Sequence, residues 1–169
     1  MKKILDFIKY KNIIECNDIH SDKLKMKGNL VCKLYKENGT IEIYEMHNMI
    51  VSSGINLFID AISNNIGGHT SSISKMSIGS DKTPVTIHDS RINAELASKN
   101  TTYELNRQAH SVTFTALFDK NVGTGTIFEF GLLNSNNILF DRIVLDGDGI
   151  KKGANDILEG IIEISFSNG

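Results

Sequence analysis

Five histidines, His20, His47, His69, His88 and His110, are the first residues able to hold a metal or move a proton. None stands four positions from another on a helical pattern or beside a cysteine pair, so no metal centre is expected. No G-x-S-x-G elbow and no P-loop occur, and Gly123-Thr124-Gly125 matches a dinucleotide-binding glycine run only in part, within a predicted hairpin turn. Glu129 and Asp141 form the one carboxylate pair that could flank a sugar for glycoside hydrolysis. Arg142 follows directly, however, and a cross-strand ion pair with Glu129 or Asp141 is the simpler reading. Asp146-Gly147-Asp148-Gly149 resembles the first half of a calcium loop, but Ile150 and Lys151 stand where an oxygen ligand and a glycine are needed, so a tight acidic turn is expected. The residues therefore point to no enzyme and to no cofactor.

Strands would have to position most of these groups. Leu30, Cys32 and Leu34 alternate with Val31, Lys33 and Tyr35, and Asn38-Gly39 joins them to a second alternating run, Ile41 to Tyr44, the strongest hairpin signal in the chain. Val51, Ile55, Phe58, Ile62 and Ile66 recur at steps of three and four and predict one helix, capped by Ser52 or Ser53 and ended near Gly67-Gly68. Residues 75–78 predict a short strand. Residues 82–100 predict a long exposed loop with a brief helical turn at Ala94-Glu95-Leu96. Five further strands, at 103–107, 111–118, 126–133, 138–145 and 157–166, read as a meander. The expected fold class is mainly β with one buried helix (α+β), an antiparallel β-sandwich-like domain over residues 28–169 behind an amino-terminal docking segment, residues 1–27.

The 169 residues carry a net charge of −2, with 40% hydrophobic and 22% charged side chains, as one globular domain would. No apolar run is long enough for a membrane helix, and no membrane insertion is expected. Two cysteines, Cys16 and Cys32, form no disulfide framework, and no leader for secretion is recognised at the amino terminus. Gly (14) and Asn (17) supply turns, and Ile (24) supplies strands. Charge is uneven: residues 1–36 carry net +5 and the rest −7. The basic arm is either a solvated lysine run or a docking element for an acidic partner or a neighbouring copy. Nucleic acid is the weaker option for the arm and is not expected as a partner. In the docking reading Ile4, Leu5 and Ile8 are apolar anchors on a loose helical pattern, and lysines such as Lys9 and Lys11 set orientation.

Read in order, Glu45-Met46-His47-Asn48-Met49-Ile50-Val51-Ser52-Ser53-Gly54, Ile73-Ser74-Lys75-Met76-Ser77-Ile78-Gly79-Ser80 and Ile127-Phe128-Glu129-Phe130-Gly131-Leu132-Leu133 resemble successive signatures of a family of bacteriophage tail fibre and baseplate proteins. Glu95-Leu96, Arg107, Val112 to Phe118 and Leu139-Phe140-Asp141-Arg142 fall between and after them in matching order. The resemblance spans residues 28–166 and leaves the basic arm outside. It implies a structural virion protein without catalytic activity, placed in the tail or baseplate and assembled in the bacterial host cytoplasm. It further implies a homo-oligomer, with a trimer favoured, that links other tail, baseplate or fibre proteins. Glycines 54, 79 and 131 are expected at a close helix–sheet contact, a strand end and a bulge.

Loops 69–74 and 82–100 are the expected second contact surface, with His88 and Arg91 able to meet a carboxylate or a cell-surface sugar. The competing reading is a carbohydrate-binding module for the host surface. Against it stand the absence of Trp and an aromatic content of 7%, although Tyr10, Tyr35, Tyr44 and Tyr103 could serve.

Overall fold

Alternation of apolar and polar residues drives most of this chain into strands, and two sheets bury their apolar faces against each other. The computed structural model describes residues 23–63 and 71–168. The amino-terminal docking residues Ile4, Leu5, Ile8, Lys9 and Lys11 lie outside the described residues, as does Ile66.

The first sheet opens with β1 (Leu24–Tyr35) and β2 (Ile41–His47), the predicted Asn38-Gly39 hairpin. It adds β6 (Thr102–Asn106), β7 (Ser111–Phe118) and β12 (Ile157–Asn168) in the spatial order β2-β1-β12-β7-β6, every neighbour antiparallel. The second sheet runs β3 (Met49–Ile50), β10 (Leu139–Val144), β9 (Glu129–Asn134), β4 (Ile73–Gly79) and β5 (Glu95–Asn100). A small ribbon pairs β8 (Gly125–Ile127) with β11 (Ile150–Lys152). Leu30, Cys32, Leu34, Phe118, Leu158 and Ile162 of the first sheet share one buried core with Met76, Ile78, Phe130, Leu132 and Ile143 of the second. The fold is the expected antiparallel, mostly β sandwich with a single helix among the described residues.

Several local expectations give way to tertiary pairing. β1 begins at Leu24, so Leu24 to Lys27, assigned to the arm by charge, form ladder pairs with Asn168 to Ser165 of β12. Residues 95–100 are strand β5 rather than loop with a helical turn, because their backbone pairs with β4. The meander is interrupted: β7 lies beside β12, and the predicted strand at 126–133 breaks at Phe128 to feed two different sheets. Gly131 keeps regular register, and the irregular pairings fall instead at Leu139/Asp141, Ile73/Lys75 and Ile78/Gly79.

The helix α1 (Ser52–Ser63) packs on β10 through Gly54 and Leu57, not through the Ile55, Phe58 and Ile62 stripe that the sequence picks out. A Cβ at residue 54 would collide with the Phe140 carbonyl, so only glycine lets the helix reach the strand. Neither serine caps the helix in the expected way. Ser53 Oγ donates to Leu139 O at 2.6 Å and Ser52 N to Ile87 O at 2.8 Å, stitching the helix start to β10 and to the loop before β5.

Candidate functional site

Every residue of β9 is buried, because the second sheet is covered on both faces. The core covers one face, and α1 with residues 80–94 covers the other, where Val51, Ile92, Leu133 and Leu139 form a second apolar cluster. Strand periodicity sends Phe130 and Leu132 inward and Glu129 outward, under that loop.

Glu129 meets Arg142 there. Arg142 Nε and Nη2 each lie 2.9 Å from Glu129 Oε2, and both side chains are fully buried. Glu129 also accepts from the backbone amides of Asn93 (3.2 Å) and Ala94 (2.8 Å). Arg142 Nη1 donates to Asp89 (2.8 Å) and to Thr83 O (3.2 Å), and Nη2 donates to Asp81 (3.0 Å). One guanidinium thus ties a strand pair to three points of the β4–β5 loop, a use that needs the planar fork of arginine. Gly79 makes room for the pair, since a Cβ there would strike the Glu129 carboxylate. Asp81 is held below the usual carboxylate range by the Asn93 amide first, then by Thr83 and Arg142, against the opposing effect of burial. For Asp89 burial is the largest influence and pushes upward, but hydrogen bonds from Thr86 and Arg142 together leave it lowered. Burial also works against the charge on Arg142, and its Asp89 and Glu129 bonds reverse that and raise it.

Asp141 follows strand alternation to the opposite face. It accepts from Leu132 N at 2.7 Å and from Asn48 Nδ2, and full burial pushes its carboxyl up to about 7 against the pull of those two bonds. Asn48 N donates to Gly28 O at 3.0 Å, so this contact fastens the β2–β3 crossover between the two sheets. Glu129 and Asp141 therefore occupy separate polar sites and do not face one another across a cleft. The expected cross-strand ion pair is the one between Glu129 and Arg142.

A third polar knot, which the sequence did not reveal, closes the hairpin end. Lys152, nearly fully buried, donates to Asp119 O (3.0 Å) and Asp156 O (2.8 Å). Asp156 accepts from Glu37 N, Gly153 N and Lys36 Nζ, contacts that together hold it below the usual range, the Glu37 amide most strongly.

His88 and Arg91 sit exposed on the loop that Arg142 anchors, and neither has a hydrogen bond or ion pair among the described residues. The anchored loop presents them from a fixed base. Among the described residues the tyrosines do not converge: Tyr35 bonds Glu159 on the outer face of the first sheet, Tyr44 bonds Glu42 on its inner face, and Tyr103 is exposed on edge strand β6, while Tyr10 lies outside the described residues. The Asp146 to Gly149 segment is a turn with positive φ at Gly147 and Gly149. No group of three or more His, Cys, Asp or Glu suited to a metal ion occurs among the described residues. No family model, no curated protein and no solved structure matches this chain.

Proposed function

We propose that this chain is a structural protein of a bacteriophage tail or tail-like particle, an adaptor that assembles in several copies and joins the tail or baseplate to fibres. One observation supports the reading above others: the buried acidic groups are committed to internal clasps, while large apolar side chains face outward. Ile41, Ile43 and Leu117 stand exposed on the outer face of the first sheet, beside half-buried Val31, Tyr35 and Ile161. Lys33 and Glu159, paired at 3.3 Å, stand between Ile43 and Leu117, so the face mixes apolar side chains with a charged pair, as a contact with another protein surface would. Closed symmetry would repeat such an interface around an axis and multiply a modest affinity, and a trimer is the favoured form. In the particle, the basic arm would reach a neighbouring subunit with Ile4, Leu5 and Ile8 as anchors, and the His88 and Arg91 rim would offer the second contact.

The test is the protein content of purified tail particles, read by mass spectrometry. Several copies of this chain per particle are expected. Intact particles without the chain would overturn the reading.

A further inference from the structure

The apolar stripe of α1 has no cover among the described residues. Ile55, Ile59 and Ile62 are exposed, Ile62 to 71%, and Phe58 between them lines a groove of about 650 Å³. Leu24 of β1, Leu105 of β6, Val112 of β7 and Phe166 of β12 supply the rest of its apolar lining, and Phe166 stacks on Phe58 with ring centroids 5.5 Å apart.

The chain enters the fold at this groove. Leu24, the first residue of β1, is itself part of the lining, and residues 1–22 precede it. Residues 4–14 carry Ile4, Leu5, Phe7, Ile8, Ile13 and Ile14, whereas the other undescribed internal stretch, residues 64–70, carries Ile66 as its one large apolar side chain. Residues 15–22 are mostly polar and span up to about 26 Å when extended, enough to turn the chain back onto the groove. Asp6 is the single acid among residues 1–14, and Arg107 is the one arginine or lysine in the groove wall. A segment tethered at the groove's own edge is presented to it at an effective concentration of roughly millimolar, well above that of a second copy in dilute solution.

We propose that in the isolated chain residues 4–14 lie in this groove, against Phe58, Leu105 and Phe166 and over the Ile55, Ile59 and Ile62 stripe. The arm is then shielded by its own body until a partner competes for it. This proposal concerns the free chain and does not depend on the particle reading.

The chain has no Trp, so Phe7→Trp and Ile8→Trp, made separately in the full chain, each introduce a single reporter. Blue-shifted emission, shielded from iodide and constant on dilution, is expected from at least one. Adding Leu105→Arg at that half-exposed edge position should move the emission to that of a solvated indole while the circular dichroism stays unchanged. Solvated emission from both reporters overturns the proposal, and so does shielded emission indifferent to Leu105→Arg. Emission that reddens on dilution also overturns it and assigns the groove to the arm of a second copy. Particle content does not enter these readings, so either proposal can fail without the other.

Discussion

Arg142 and Glu129, thirteen residues apart on adjacent strands, form a fully buried ion pair in which Nε and Nη2 both reach Oε2 at 2.9 Å. Asp81, Asp89 and Thr83 close around the same guanidinium, so a long loop that would otherwise move freely becomes a fixed part of the second sheet's cover. Ile92 from that loop then completes a small core with Val51, Leu133 and Leu139.

Removing the arginine leaves buried acceptors without a partner. Arg142→Met should cost about 3–5 kcal/mol in urea unfolding. Arg142→Lys should recover less than half, because an ammonium cannot serve three carboxylates from one plane. Both variants should be cut by protease within residues 81–93 before the body unfolds. A loss below about 1 kcal/mol would show that the clasp is not what holds the loop.

Asp141 makes stability fall as the pH rises toward neutrality. Its folded carboxyl titrates near 7, above the ordinary value, so the native state binds the extra proton between about pH 4 and pH 7 and loses stability as the pH rises through that window. The full effect is at most about 4 kcal/mol. Asp141→Asn keeps the bond from Leu132 N, and its new amide can donate to Asn48 Oδ1 once the Asn48 amide turns over to replace the Nδ2 that now faces residue 141. Urea unfolding at about pH 5 and pH 8 should show the slope in the parent chain and not in the variant. Equal slopes would contradict the assignment.

Asp81 and Asp89 act in the opposite sense. Both are lowered in the fold, so their contribution is complete above the ordinary carboxylate value and disappears as the pH falls through their lowered values. Acid should therefore release residues 81–93 first. Pepsin cleavage confined to that loop is the expected result, and simultaneous cleavage throughout the chain is the contrary one.

Gly54→Ala places a methyl against the Phe140 carbonyl and should cost about 1–3 kcal/mol despite the better helix propensity of alanine. Thermal unfolding measures it. A stabilised variant would mean that the helix does not sit on β10 as described.

His88→Ala and Arg91→Ala change exposed side chains without intramolecular partners among the described residues. Stability should stay within about 0.5 kcal/mol of the parent. On the proposed adaptor reading, capture of a protein encoded beside this chain should weaken. Unchanged capture in the double variant would remove the loop rim from the contact.

What could be read from the sequence follows from the range of the forces involved. The Asn38-Gly39 hairpin and the alternation of β7 and β12 are local patterns, and they appear as strands. Glu129 and Arg142 lie on consecutive strands, so their pairing was visible. Asp81 and Asp89 reach the same guanidinium from 61 and 53 residues away, and no periodicity records such a meeting. Ala94-Glu95-Leu96 favours a helix locally, and only its ladder with β4 makes residues 95–100 a strand. Periodicity picks out Val51, Ile55, Phe58 and Ile62 as one face of the helix, but Val51 is buried while Ile55 and Ile62 are exposed, because Gly54 decides which side of the helix meets the sheet. Ile55, Ile59 and Ile62 are left exposed, with Phe58 lining the groove.

The most direct measurement is the mass of the purified full-length chain by light scattering, alone and after mixing with the proteins encoded beside it. The account predicts a trimer or larger ring that captures one of those neighbours. A monomer that ignores them and binds cell-wall glycan would contradict it.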